Sequence, residues 1–169
     1  MWKSLIALAI AVAVTVPAAA SARPPAATPN IVDTAIAVNS SGQYAGSFDT
    51  LICLVAHNPA VLATLSERGQ YTVFAPTDDA FATVGIDSSN CEALAATPFV
   101  TNVLRYHVAK GRRDAADVTH SSRIRMLNRE FTRISTDGNA YFVNDARIIV
   151  SDVFASNGVI HALDGVLLP

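Results

Sequence analysis

Phe48, Leu51, Ile52 and Val55 fall at i, i+3, i+4 and i+7, one apolar face of a helix, and Ser47 stands before them as an N-cap. The same reading predicts a short helix over Asn30 to Val38 capped by Asn30. Asn58-Pro59 and Thr97-Pro98 predict two more, since a cap followed by proline suits a first helical turn. The Asn58-Pro59 helix ends near Leu65, and Val100, Val103, Leu104 and His107 share one face of the other. Between them Thr72 to Ala75 is a β-branched and aromatic run, a buried strand that Pro76 ends. Thr77 then caps a new helix, Asp78 and Asp79 favour its positive end, and Phe81 returns to the core.

After Tyr106 the period changes to two. Arg123 to Leu127 alternates, Asn128 turns the chain into Glu130 to Ser135, and Asp137-Gly138-Asn139 marks another turn. Tyr141 to Val143 and Arg147 to Val153 are further strands, and His120 falls in a polar loop. Asn157-Gly158 opens a tight turn into a strand over Val159 to Leu163, and Asp164-Gly165 turns the chain again before Val166 to Leu168. Helices come first and strands cluster late, with one strand reaching across, so the pattern predicts an α+β fold rather than alternating βαβ units.

Three of these segments carry more than secondary structure. They are Tyr71 to Phe81, Leu104-Arg105-Tyr106-His107-Val108, and Asn157 to Pro169. In this order and spacing they resemble the two signature blocks and the tyrosine–histidine pair of the fasciclin-type adhesion domain, over about Asn30 to Pro169. The resemblance implies a wedge of mainly antiparallel β-sheets with helices packed on one side, the helical half first. It implies that His107 is buried and holds the fold by hydrogen bonding, although a Tyr–His pair has been implicated in integrin recognition by animal members. The Asp-Ile pair of some integrin-binding animal domains is absent here, and Gly111-Arg112-Arg113-Asp114 is not Arg-Gly-Asp. Tyr106 and His107 are therefore the only recognition residues that the resemblance carries over.

The N-terminus reads as an export signal. Lys3 precedes an apolar run from Leu5 to Val16, and Ala20-Ser21-Ala22 fits a small-residue cleavage site. The run is about a dozen residues, short for a membrane span, though an uncleaved anchor is the competing reading. The expected organisation is a signal peptide over 1–22, a proline-rich leader over 23–29 and one fasciclin-like domain over 30–169. The C-terminus at Pro169 has no apolar tail, so no lipid anchor is expected there, and the mature chain is expected to carry no transmembrane segment. This places the protein in the secreted, periplasmic or cell-surface class. Cys53 and Cys91 are the only cysteines. In an oxidising compartment an even count points to a disulfide between them, and two buried free thiols are the alternative.

Charge is unevenly spread. Arg105, Lys110, Arg112, Arg113, Arg123, Arg125, Arg129 and Arg133 lie in one segment, against Asp114, Asp117 and Glu130, while the whole chain carries a net charge of −2. Such a surface attracts anionic polysaccharide, lipopolysaccharide or phospholipid headgroups; the plainer reading is a solvated sheet face with internal ion pairs. Nucleic acid is disfavoured by the export signal and by the lack of interleaved exposed aromatics.

No residue set points to catalysis. The four histidines are scattered, and there is no Gly-x-Ser-x-Gly elbow, phosphate-cradling glycine loop, His-Glu-x-x-His helix or Cys-x-x-Cys. Neither a cofactor nor a metal is implied. The sequence is thus read as a non-enzymatic protein for cell adhesion or attachment to extracellular matrix or cell surface. Its partner would be an extracellular protein or glycan, an anionic one included, with Tyr106, His107, Arg112, Arg113, Arg123 and Arg125 as candidate binding residues. The alternative is a binding module for an anionic polysaccharide or a small apolar ligand, with no adhesion role. Nothing in the sequence fixes an oligomeric state.

Overall fold

A computed structural model describes residues 28–169. The expected signal segment 1–22 and leader residues 23–27 lie outside the described residues. The helical half comprises α1 (Ile31–Ser40), α2 (Asp49–Ala56), α3 (Pro59–Ser66), α4 (Asp78–Thr83), α5 (Cys91–Ala95) and α6 (Pro98–Tyr106), with strand β1 (Tyr71–Pro76) inserted after α3. The later half holds β2 (Val108–Lys110), α7 (Ala115–His120), β3 (Arg123–Arg125), β4 (Phe131–Thr136), β5 (Tyr141–Val143), β6 (Ala146–Ala155) and β7 (Gly158–Leu163).

The caps expected at Asn30, Asn58, Thr77 and Thr97 all form, each side chain accepting from a backbone N–H three residues on. Ser47 does not cap α2. Phe48 occupies that position and offers no side-chain bond. The orphan donors are met instead from a distance: the Asp78 carboxylate accepts from Asp49 N at 3.1 Å and Thr50 N at 2.8 Å, while Asp78 N donates to Ser47 O. Asp78 therefore serves two helix starts and fastens the β1–α4 corner to α2. His120 is the last residue of α7 rather than part of a loop; a six-residue helix is too short to show a period in sequence.

The strands form one sheet in the order β2-β1-β7-β6-β5-β4-β3. β1 and β7 run parallel, and every other neighbouring pair is antiparallel. A further bridge joins Ala109 of β2 to Met126 just after β3, so the sheet curls until its two ends touch. β1 and β7 are buried along their whole length because both of their faces are covered. Val73, Ala75, Ile160 and Ala162 face the helices with Leu51, Val61, Leu65 and Leu104. Phe74 and Leu163 face into the curl with Tyr106, Val118, Ile124, Met126 and Val143. Val118 brings α7 against this inner side, which the end of α6 also reaches through Tyr106.

Asn157 turns out to be more than a turn residue. It is buried, accepts from Ile31 N at 2.8 Å, and donates to Leu65 O and Glu67 O, tying the start of α1 and the end of α3 to β7. Gly158 beside it is required by close approach, since a Cβ there would run into the backbone carbonyl of Tyr71.

Candidate functional site

Tyr106 and His107 end α6 and lie inside the molecule. His107 Nδ1–H donates to Val103 O at 2.8 Å, and Leu167 N–H donates to Nε2 at 2.9 Å. Both ring nitrogens are thereby used, and the C-terminal segment is pinned to α6. Burial pushes the His107 pKa down to about 4, with the Val103 carbonyl opposing, so the ring is neutral at pH 7. His161 mirrors it with the other tautomer. Asp152 N donates to its Nδ1 at 3.3 Å, and Nε2–H donates to Arg113 O at 2.9 Å, while the ring stacks on Phe74. Burial lowers this pKa too, against the Arg113 carbonyl and the charges of Asp152 and Asp114. Neither imidazole has a nitrogen left for proton transfer or for a metal. Among the described residues, no three His, Cys, Asp or Glu side chains gather as a metal site would need.

Tyr106 acts outward from the inside. Its hydroxyl donates to Phe131 O at 3.1 Å and accepts from Asn144 Nδ2 at 3.1 Å, and Asn144 Oδ1 in turn accepts from Arg133 N at 2.8 Å. The hydroxyl thus holds β4 at two points from behind. The front of that strand carries charge. With Ile124, Thr132 and Ile134 buried, alternation turns Arg123, Arg125, Phe131 and Arg133 to solvent. The register sets Arg123 directly opposite Arg133 and Arg125 opposite Phe131, and the Arg123 guanidinium lies over the Phe131 ring at 5.0 Å.

The internal ion pairs expected of this segment do not form. Among the described residues no arginine or lysine reaches a carboxylate; the one acid–base contact is His57 Nε2 to Glu92 Oε1 at 3.9 Å. Arg112 is exposed and lies over the Phe154 ring at 4.6 Å. Arg113 is half-buried, and its backbone serves Thr72 and His161. The candidate residues therefore divide. Arg112, Arg123 and Arg125 are exposed side chains, whereas Tyr106 and His107 are interior and Arg113 lies between. Phe131 and Arg133 belong to the outward group, and the alternation Phe131-Thr132-Arg133 across the Asn128 turn was the signal for them in the sequence.

Cys53 of α2 and Cys91 of α5 are joined as a disulfide, with Cα atoms 6.1 Å apart. No single helix among the described residues is long and apolar enough to cross a membrane.

Comparison with known proteins gives the family. The fasciclin domain model matches residues 46–169. Protein sll1483 of Synechocystis sp. is 39% identical over 126 residues, covering 73% of this chain and 68% of that protein. Immunogenic protein MPB70 of Mycobacterium bovis is 31% identical over 113 residues, or 66% of this chain and 57% of its own length. Transforming growth factor-beta-induced protein ig-h3 of Oryctolagus cuniculus is 33% identical over 106 residues; that match covers 63% of this chain but 15% of the rabbit protein. In structure, the chain is similar to a FAS1 domain pair from the insect cell adhesion molecule Fasciclin I. There the TM-score is 0.63 at 16% identity, over 85% of this chain and 52% of that one. The family match covers most of the chain and includes both signature blocks and the Tyr106–His107 pair: the chain belongs to the fasciclin domain family.

Proposed function

We propose that this protein is an exported attachment module that binds an extracellular or cell-surface partner through the outer face of β3 and β4. Residues 1–22 direct export, 23–29 form a spacer, and 30–169 form the domain that carries the contact surface. The observation behind this reading is the cluster of Arg123, Arg125 and Arg133 with no carboxylate in reach and two of its members directly opposed. Like charges facing each other across a strand pair destabilise a sheet. An anionic partner, protein or glycan, relieves that repulsion on binding. The adhesion role is supported by the similarity to a domain pair from a cell adhesion molecule. A binding role rather than an enzymatic one is supported by the two buried histidines, whose nitrogens are all occupied by backbone partners.

The test is retention of the exported protein on surfaces coated with matrix proteins, anionic polysaccharides or anionic lipid. Wild type is compared with Arg123→Glu/Arg125→Glu. Selective retention that the double variant loses supports the reading. It should also weaken steeply as the screening length falls from about 10 Å at 0.1 M salt to about 3 Å at 1 M. Equal retention of both proteins on every surface overturns it.

A further inference from the structure

The helix side of β1 and β7 is not filled. Two adjoining cavities of about 80 and 30 Å³ lie beneath α1 and share the walls Ala35, Leu51, Ala75 and Ile160. The larger touches Ile31, Val32 and Ile36, and the smaller reaches Val38. Together they follow the underside of α1 for about 10 Å at 1.5 Å per residue. The lining is apolar apart from two side chains. One is His107, whose ring nitrogens are both taken inside the protein, and the other is Tyr44. Water entering the slot would find almost no hydrogen-bond partner there, so an apolar occupant is favoured.

The attachment of α1 fits such a role. Its first residue is held by Ile31 N donating to Asn157 Oδ1. Near its other end, Asn39 donates to Asp49 Oδ1 at 2.7 Å and accepts from Phe48 N at 2.9 Å. Both ends are thus fastened by hydrogen bonds, whereas the middle turns pack on their neighbours through the apolar side chains Val32, Ala35 and Val38, with Thr34 also buried. Ile36 of the same helix lines the larger cavity and is 44% exposed, which marks the open side of the slot. The whole of α1 precedes the matched family region, which begins at residue 46.

We infer that the slot beneath α1 is a binding site for the end of an unbranched alkyl or polyene chain. Each cavity, at about 80 and 30 Å³, is smaller than the one of about 150 Å³ that admits benzene, and the two lie end to end beneath α1, so a slender chain suits them better than a ring system. With no free polar group inside, any head group stays at the Ile36 rim in solvent. Affinity then comes from dispersion contacts along the chain, which the empty walls lack.

The experiment is a titration of the methyl-labelled exported protein with cis-parinaric acid, a fluorescent linear polyene, read by fluorescence and by methyl NMR. Saturable one-to-one enhancement is expected, with methyl shifts at Ile31, Leu51, Val73 and Ile160. The affinity should be unchanged between about 0.1 and 1 M salt and in Arg123→Glu/Arg125→Glu, which separates this site from the arginine face. Ala35→Trp, placed where the cavities meet, should weaken binding at least about tenfold. Absence of saturation, or methyl shifts confined to the outer surface, overturns the inference. So does unchanged affinity in Ala35→Trp; should that variant not fold, the wild-type methyl map alone decides.

Discussion

β1 and β7 divide the molecule into two sides that are closed in different ways. Inside the curl of the sheet and at its border with the slot, where His107 stands, polar side chains do the closing. His107 binds α6 to the C-terminus, His161 binds β7 to the β2–α7 loop and β6, and Tyr106 binds α6 to β4 and Asn144. On the helix side, hydrogen bonds at Asn157, Asn58 and Asp78 and the covalent Cys53–Cys91 bridge sit at the edges, and apolar contacts occupy the space between. Directional bonds leave little freedom of spacing inside the curl. Apolar contacts tolerate a gap, and the slot lies there. The difference teaches where each kind of function can reside. The rigid side carries a fixed array of charges on its outer face, and the looser side can admit a ligand.

The sharpest break is on the helix side. The bridge spans a sequence separation of 38 residues, so Cys53→Ala/Cys91→Ala should lose about 4 kcal/mol of unfolding free energy in denaturant melts. A loss below about 1 kcal/mol would mean that the edge bonds alone hold α5 to α2.

On the other side, His107→Ala strands Leu167 N–H and Val103 O and leaves a void, at a cost of about 3 kcal/mol at pH 7. Acid reports on the same residue. The unfolded chain takes up a proton near the ordinary value of 6.5, whereas folded His107 resists until about 4. Its contribution is therefore complete above pH 6.5, falls as pH drops to about 4, and amounts to about 3 kcal/mol across that window. His161 adds to the loss in the same direction. His107→Ala should flatten the curve, leaving the His161 part. An unflattened curve would assign the acid sensitivity elsewhere.

A smaller effect is expected from Tyr106→Phe, which removes the hydroxyl that holds Phe131 O and Asn144. The predicted loss is about 1–2 kcal/mol, with faster amide exchange along β4. Exchange changes confined to α6 would show that β4 does not depend on the hydroxyl.

Much of this architecture was legible in the sequence, and the exceptions share a cause. The proline-started helices, the Thr77 cap and the alternating strands rest on neighbours within a few residues, and all of them form. The Ser47 cap failed because Asp78, 29 positions beyond Asp49, accepts from the α2 donors. Asn157 lies in the turn that its pairing with Gly158 announces, but its second role as a buried three-way tie runs through distant partners and had no such signal. In the candidate site, the residues' types and the alternation of the strands were visible, but the interior place of the Tyr106–His107 pair and the cross-strand partners were not. Tyr106 and His107 are interior because α6 packs into the curl, and Phe131 and Arg133 join Arg123 and Arg125 only through the β3–β4 register. The slot had no sequence signal, since it is defined by what elements from both halves of the chain leave between them.

The central claim is that the opposed arginines weaken the sheet and serve a partner. Melting Arg123→Glu and scoring its retention on an anionic-polysaccharide surface tests both halves at once. Replacing the repulsive pair with a glutamate facing Arg133 should raise stability by a few tenths of a kcal/mol to about 1 kcal/mol, while retention falls. Retention equal to wild type, whatever the melting temperature, would contradict the account.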